Sequence, residues 1–341
     1  MTAAQEFEKV LDKSDATVAS FDQHRTPLER AQHFLHGNPA AVPLIVLVLS
    51  VSVFGAILGA KFFFALPLIL QQVAISAIIG AAQTLVILTA GIDLSVGAIM
   101  VLSSVVMGQF TFRYGLPAPV SILCGFGCGA LCGWLNGALI ARMKLPPFIV
   151  TLGTWQIILA GNFLYSANET IRSQDIAEQA PLLQLFHGNA IIAAMFLLVF
   201  LLWHVLNHTA WGRHVYAIGD DPDAAELSGV RVKRVLVQVY VLSGVICALA
   251  GWVLIGRLGS VSPTSGQLAN IESITAVVIG GISLFGGRGS ILGMIFGALI
   301  VGVFQLGLRM IGTDPQWTYL LIGVLIIAAV AIDQWIRKVA A

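Results

Sequence analysis

The sequence predicts an all-α polytopic membrane protein with about ten transmembrane helices. Of its 341 residues, 57% are hydrophobic and only 10% are charged, against about 25% charged in a soluble domain. Mean hydropathy is +0.90. The apolar residues gather into runs long enough to cross a bilayer. Formal net charge is +1, which gives no electrostatic basis for a nucleic-acid partner.

Residues 1–40 are polar and carry both signs of charge, without the charged-then-apolar-then-cleavage pattern of a signal peptide. They are expected to be a retained cytoplasmic tail. Within the tail, Thr26-Pro27-Leu28-Glu29 is a capping box with Pro at the first helical position. Leu28, Ala31 and Leu35 then share a face, which predicts a short amphipathic helix at the membrane surface. The membrane domain follows at 41–338. Its apolar runs are 41–60, 67–90, 95–112, 118–141, 147–166, 190–207, 235–256, 270–286, 290–311 and 318–336, with lipid as the expected neighbour of their outer faces. The eighth is short and Gly-rich, so a broken or partly inserted helix is expected there. Cys124, Cys128 and Cys132 stack on one helix face. No His, Asp or Glu lies among them, so they read as small residues at a helix contact rather than as metal ligands.

The loops set orientation. With the N-terminus inside, Lys9, Lys13, Arg25, Arg30, Arg142, Lys144, Arg213, Arg231, Lys233, Arg234, Arg288, Arg337 and Lys338 fall inside. Lys61, Arg113, Arg172, Arg257 and Arg309 fall outside. This bias predicts ten spans with both termini in the cytoplasm. The longest outside loop is 167–189. The longest inside loop, 208–234, has basic ends and an acidic, Ala-rich centre. There Asp221 precedes Pro222 as N-cap before first helical residue, acids fill the first turn, and Gly229 is a natural stop. The pattern predicts a short helix of about two turns outside the bilayer, with too few apolar residues for a core of its own and suited to touching another protein.

The run Leu88-Thr89-Ala90-Gly91-Ile92-Asp93-Leu94-Ser95-Val96-Gly97 sets a carboxylate and a hydroxyl between two apolar runs. An ionised group in the bilayer costs about 2.5–3.5 kcal/mol on insertion scales. Asp93 either lines a polar path at a half-helix break or caps the helix that follows. The residues leave both alternatives open, and Ser95 shares them.

Three segments, Leu88–Gly97, Gly219–Val230 and Ala276–Ser290, together resemble the permease subunits of bacterial ABC sugar importers of the ribose/xylose/fructose/galactoside type. The resemblance covers about 45–340, and the stretches Gly259–Ser290 and Gly312–Trp317 are most similar to the fructose-import branch of alpha-proteobacteria. It implies a multi-pass protein of the bacterial inner membrane and a second permease subunit, with a homodimer expected. It also implies cytoplasmic ATPase subunits and a periplasmic sugar-binding protein. It makes Gly219–Val230 the coupling helix that seats on the ATPase. Gly219, Ala224, Ala225, Ser228 and Gly229 match its pattern, Asp221 stands where Asn is common, and Glu226 and Leu227 complete the surface. Glu272 stands near a position where related permeases often carry Asp.

A sugar path needs hydrogen-bonding groups that bind weakly enough to release. The candidates are Gln71, Gln72, Gln83, Asp93, Ser95, Asn136, Thr154, Gln156, Asn162, Glu272 and Gln305, although a lone Gln in a span is more often helix–helix glue. Gly280–Ser290 lacks the Gly-Lys-Ser/Thr ending of a phosphate loop, so ATP hydrolysis is expected of a partner chain. No catalytic residue, metal site or cofactor is expected. His204 and His208 share a helix face without a third ligand and read as interfacial side chains. An ion-gradient-driven transporter is the alternative, and it predicts coupling carboxylates beyond Asp93, Glu272 and Asp333.

Overall fold

The computed structural model describes residue 38, residues 40–266 and residues 268–337. The amphipathic helix expected at 26–35 lies outside the described residues. In chain order the α-helices are α1 (Ala41–Leu58), α2 (Ala60–Phe64), α3 (Leu66–Leu88), α4 (Val96–Phe112), α5 (Ala118–Met143), α6 (Pro147–Ser166) and α7 (Ser173–Gln179). A 3-10 turn at Pro181–Gln184 leads to α8 (Asn189–His208), α9 (Ala210–Asp220), α10 (Pro222–Leu227), α11 (Val232–Leu258), α12 (Ala269–Ile279), α13 (Ile291–Ile311) and α14 (Pro315–Arg337). Among the described residues the only β pairing is an isolated antiparallel bridge between Ile171 and Val261. Proline opens α3, α5, α6 and α10, where its missing N–H costs nothing.

The apolar runs take two forms. Seven helices, α1, α3, α5, α6, α8, α11 and α13, are long and apolar enough to cross a bilayer. The other three runs become shorter apolar helices: α4, α12 and the stretch Gln316–Ile332 of α14. The eighth run, 270–286, expected to be broken or partly inserted, is helical only to Ile279. Its glycines instead form a turn: Gly287 donates to the Leu88 carbonyl at 3.1 Å, and Gly280 packs on the backbone of α13 at Gly293 and Met294.

Residues 39–330 form one compact unit, and of the second unit the described residues are Asn38 and 331–337. Within 39–330, α3 and α11 are the core helices. Their apolar windows are 78% and 72% buried, against 17% for α1 and α6. α11 packs on α5, α4 and α3. The α5–α11 contact is backbone against backbone. A Cβ on Gly129 or Gly133 would overlap the Gly244 or Tyr240 carbonyl, which is how small residues let membrane helices approach. Cys124, Cys128 and Cys132 are partly buried, and each stands one residue before a glycine of α5 that packs on α4 (Gly125) or on α11 (Gly129 and Gly133).

Candidate functional site

The loop between α3 and α4 carries the most polar sequence in the core, and it is tied on every side. Asp93 is 1% exposed. Its Oδ1 accepts the Ser95 backbone N–H at 2.8 Å and the Ser95 hydroxyl at 2.6 Å. Asn136 of α5 donates to Ser95 Oγ at 2.8 Å. Gln83 of α3, its amide oriented by its partners, donates to the Asp93 carbonyl at 2.9 Å and accepts the Asp93 N–H at 3.2 Å. Thr151 of α6 donates to the Ile92 carbonyl at 3.0 Å. Asn270 of α12 accepts the Gly97 N–H at 2.6 Å and donates to the Leu94 carbonyl at 2.5 Å. Four helices thus hold seven residues of irregular backbone, which is tolerated at depth only when its polar groups are satisfied. Four expected residues, Asp93, Ser95, Gln83 and Asn136, come together here as a buried knot.

Three others meet elsewhere. Gln72 of α3, Glu272 of α12 and Gln305 of α13 line two adjoining openings of about 110 and 230 Å3. Gln72 donates to Gln305 at 2.9 Å, and Ser76 donates to Glu272 at 2.8 Å. Arg257, at the end of α11, donates to the Gln72 backbone carbonyl at 3.2 Å and shares the wall with Glu272. Arg309, Thr313 and Thr318 continue it. The result is a cleft with a carboxylate, two guanidiniums and two carboxamides, the donor and acceptor set that a polyhydroxylated solute needs. Gln72 lies sixteen residues along α3 from Leu88, about 24 Å at 1.5 Å per residue. The cleft and the α9–α10 segment are therefore at opposite ends of the bundle.

The α6 candidates separate. Asn162 is buried and donates to the Pro263 carbonyl at 3.0 Å. Thr154 is partly buried and bonds back to the Thr151 carbonyl at 3.3 Å. Gln156 is exposed on the opposite face of α6. Gln71 is partly buried and points to Asn189, at 3.5 Å.

The loop 208–234 holds two helices where the sequence suggested one. α9 starts at Thr209, whose hydroxyl accepts the Gly212 N–H at 3.1 Å. α10 starts at Asp221, whose Oδ1 accepts the Asp223 and Ala224 N–H groups at 2.9 and 3.0 Å, as an N-cap should. It ends at Gly229, whose φ of +88° is left-handed and suits glycine. Ala224, Glu226, Leu227 and Ser228 are exposed, Leu227 at 90%. Ala225 is only 5% exposed and faces inward. α9 is seated against the core. A Cβ on Gly219 would overlap the Leu88 carbonyl, and Tyr216 donates to the Gly289 carbonyl at 3.0 Å. Burial pushes the Tyr216 phenol above its ordinary 10, so it stays a donor at neutral pH.

Sequence reasoning missed Ser76, Arg257 and Asn270. Ser76 gave no signal of its own, and Arg257 entered only as one of the outside charges. The signal for Asn270 was its place beside Glu272 at the start of a short helix.

Residues 65–330 match the family described as the permease component of the branched-chain amino acid transport system. The chain is 73% identical to a fructose import permease protein of Rhizobium meliloti, over 99% of this chain and 97% of that one. It is 39% identical to a ribose import permease protein of Bacillus subtilis, over 85% and 90%. It is 35% identical to a galactose/methyl galactoside import permease protein of Escherichia coli strain K12, over 78% and 85%. No solved structure matches the chain significantly.

Proposed function

The chain belongs to this family of permease components, and on that premise we propose that it is the membrane subunit of an ATP-driven ABC importer that passes a monosaccharide, fructose foremost, from periplasm to cytoplasm. The observation that carries the reading is the 73% identity to a fructose import permease over nearly the whole of both chains. It places the protein in the bacterial inner membrane. The three shorter apolar helices count as spans in this reading, giving ten passages with both termini inside, supported by the excess of Lys and Arg in the segments it puts in the cytoplasm.

The parts then have roles. The cleft of Gln72, Ser76, Glu272, Gln305 and Arg257 opens to the periplasm and receives the sugar from a binding protein. α10 faces the cytoplasm and docks on an ATPase subunit through Leu227, Glu226, Ser228 and Ala224. Ala225 keys α10 to its own chain. Gly219 and the Leu88 carbonyl carry the push of the ATPase to the Asp93 knot, and Asn270 links that knot to α12. Such a chain of rigid contacts biases an inward-open against an outward-open state. Two copies of the chain enclose the path.

Uptake of labelled fructose by cells lacking this chain, with and without its restoration, tests the reading. Uptake that returns with the chain and stops on ATP depletion is expected. Uptake that survives ATP depletion and fails with the proton gradient would contradict it. Leu227→Asp should insert normally and fail to co-purify with the ATPase; retained co-purification would remove α10 from the interface.

A further inference from the structure

The two openings of the Glu272 cleft share three lining residues, Gln72, Glu272 and Gln305. The rest of each lining falls on either side of them, about one helical turn away. On α12 the order is Leu268, Glu272, Ala276, and on α13 it is Arg309, Gln305, Val301. Leu268 and Arg309 belong to the outer opening, of about 230 Å3, and both are exposed. Ala276 and Val301 belong to the inner opening and are buried. The inner opening has about 110 Å3, room for a few waters at about 30 Å3 each. Gln72, Glu272 and Gln305 therefore form one layer between two chambers.

An amide pair closes this layer. Gln72 Nε2 donates to Gln305 Oε1 at 2.9 Å and so bridges α3 and α13. Among the described residues, Gln72 Oε1 and Gln305 Nε2 make no hydrogen bond. Glu272 accepts the Ser76 hydroxyl at 2.8 Å beside the pair. Arg257 donates to the Gln72 backbone carbonyl at 3.2 Å and walls the inner chamber on the α11 side. The floor of that chamber is apolar packing. Val73, Ala276, Ala298 and Val301 are buried there. A Cβ on Gly302 would overlap Val73, and one on Gly297 would overlap the Ala276 carbonyl, so α3, α12 and α13 meet tightly beneath the layer.

We infer that the Gln72–Gln305 pair is a gate on the sugar path, closed in this structure, that parts to let a monosaccharide descend past Glu272. The chamber beneath is too small for a sugar while the pair is closed, so passage requires α3 and α13, which the pair ties together, to move apart. A neutral amide pair suits this task. Closed, the bridging donor and acceptor satisfy each other. Parted, each amide offers a donor and an acceptor to sugar hydroxyls, so one set of bonds replaces another at little net cost. An ion pair would hold the layer more firmly. An apolar pair would strip hydrogen bonds from the sugar without replacing them. The inference rests on the sugar-permease reading and adds to it the element that regulates entry.

The test uses the full transporter, permease with its ATPase and binding protein, in right-side-out membrane vesicles. The four native cysteines are replaced by alanine. Val301→Cys, which lines only the inner chamber, is then labelled from the periplasmic face with a membrane-impermeant thiol reagent, without sugar or ATP. Labelling should be slow. Adding Gln72→Ala with Gln305→Ala should quicken it about two- to tenfold, the range that one neutral hydrogen bond spans. Gln305→Asn, one methylene shorter, should quicken it likewise and serves where the double variant fails to assemble with the ATPase. Thr318→Cys, which lines only the outer chamber, should label at one rate in every background. Gln72→Lys with Gln305→Glu exchanges the amide pair for an ion pair. It should keep Val301→Cys slow and lower the kcat of fructose uptake about tenfold, because a charge-assisted bond is roughly twice as strong. KM should stay near wild type, whereas residues that only wall the path would change KM. Equal labelling of Val301→Cys with and without the amide pair, or wild-type kcat in the ion-pair variant, overturns the gate and leaves the permease standing. Loss of ATP-driven fructose uptake in the wild-type complex overturns the permease reading itself, and the labelling, done without sugar, keeps the two failures apart.

Discussion

Asp93 and Glu272 are both carboxylates in the interior of a membrane protein, yet their surroundings differ. Asp93 is enclosed, and its Oδ1 accepts both the N–H and the hydroxyl of Ser95. Glu272 lines an opening and receives a single bond, from Ser76. One carboxylate shapes backbone; the other keeps capacity for a solute. Depth in the bilayer marks a polar group as necessary, but only its partners tell whether the need is structural or chemical.

Substitutions that separate these roles rank by effect. Asp93→Ala should have the largest, because it orphans two buried donors on Ser95 at about 1–3 kcal/mol each. The expected result is a clearly lowered melting temperature of the purified permease, with Asp93→Asn milder because one acceptor oxygen survives. Asn270→Ala comes next. It frees the Gly97 N–H and the Leu94 carbonyl together, and Asn270→Asp should recover part of the loss by keeping the acceptor. Glu272→Gln should leave melting unchanged and raise the fructose KM about tenfold, equivalent to 1.4 kcal/mol. Gln156→Ala, on the exposed face of α6, should change stability by less than about 0.5 kcal/mol and leave KM alone. A lowered melting temperature for Glu272→Gln, or a KM effect for Gln156→Ala, would erase the distinction.

What could be read from the chain was local. The Asp221 cap and the Gly229 stop each depend on neighbours within a few residues and appear where expected, and seven of the ten apolar runs form helices long enough to cross a bilayer. α9 was missed because it is short, Ala210–Asp220, and its apolar residues are interspersed with Arg213, His214 and Asp220 rather than gathered into a long hydrophobic run. The cleft was only partly legible. Gln72 and Gln305 are 233 residues apart, so no spacing rule joins them, and Arg257 entered only as one of the outside charges. The ambiguity over Asp93 had the same origin. Its surroundings come from Gln83, Asn136, Thr151 and Asn270, brought together by packing that no single window contains.

The most direct test is thermal unfolding of purified wild type, Asp93→Ala and Glu272→Gln, each with and without saturating fructose. A ligand that binds only the folded state raises the melting temperature. Asp93→Ala should melt lower than wild type and still gain stability from fructose. Glu272→Gln should melt with wild type and gain little. An Asp93→Ala protein that melts like wild type but no longer responds to fructose would contradict the account and make Asp93 the residue that meets the sugar.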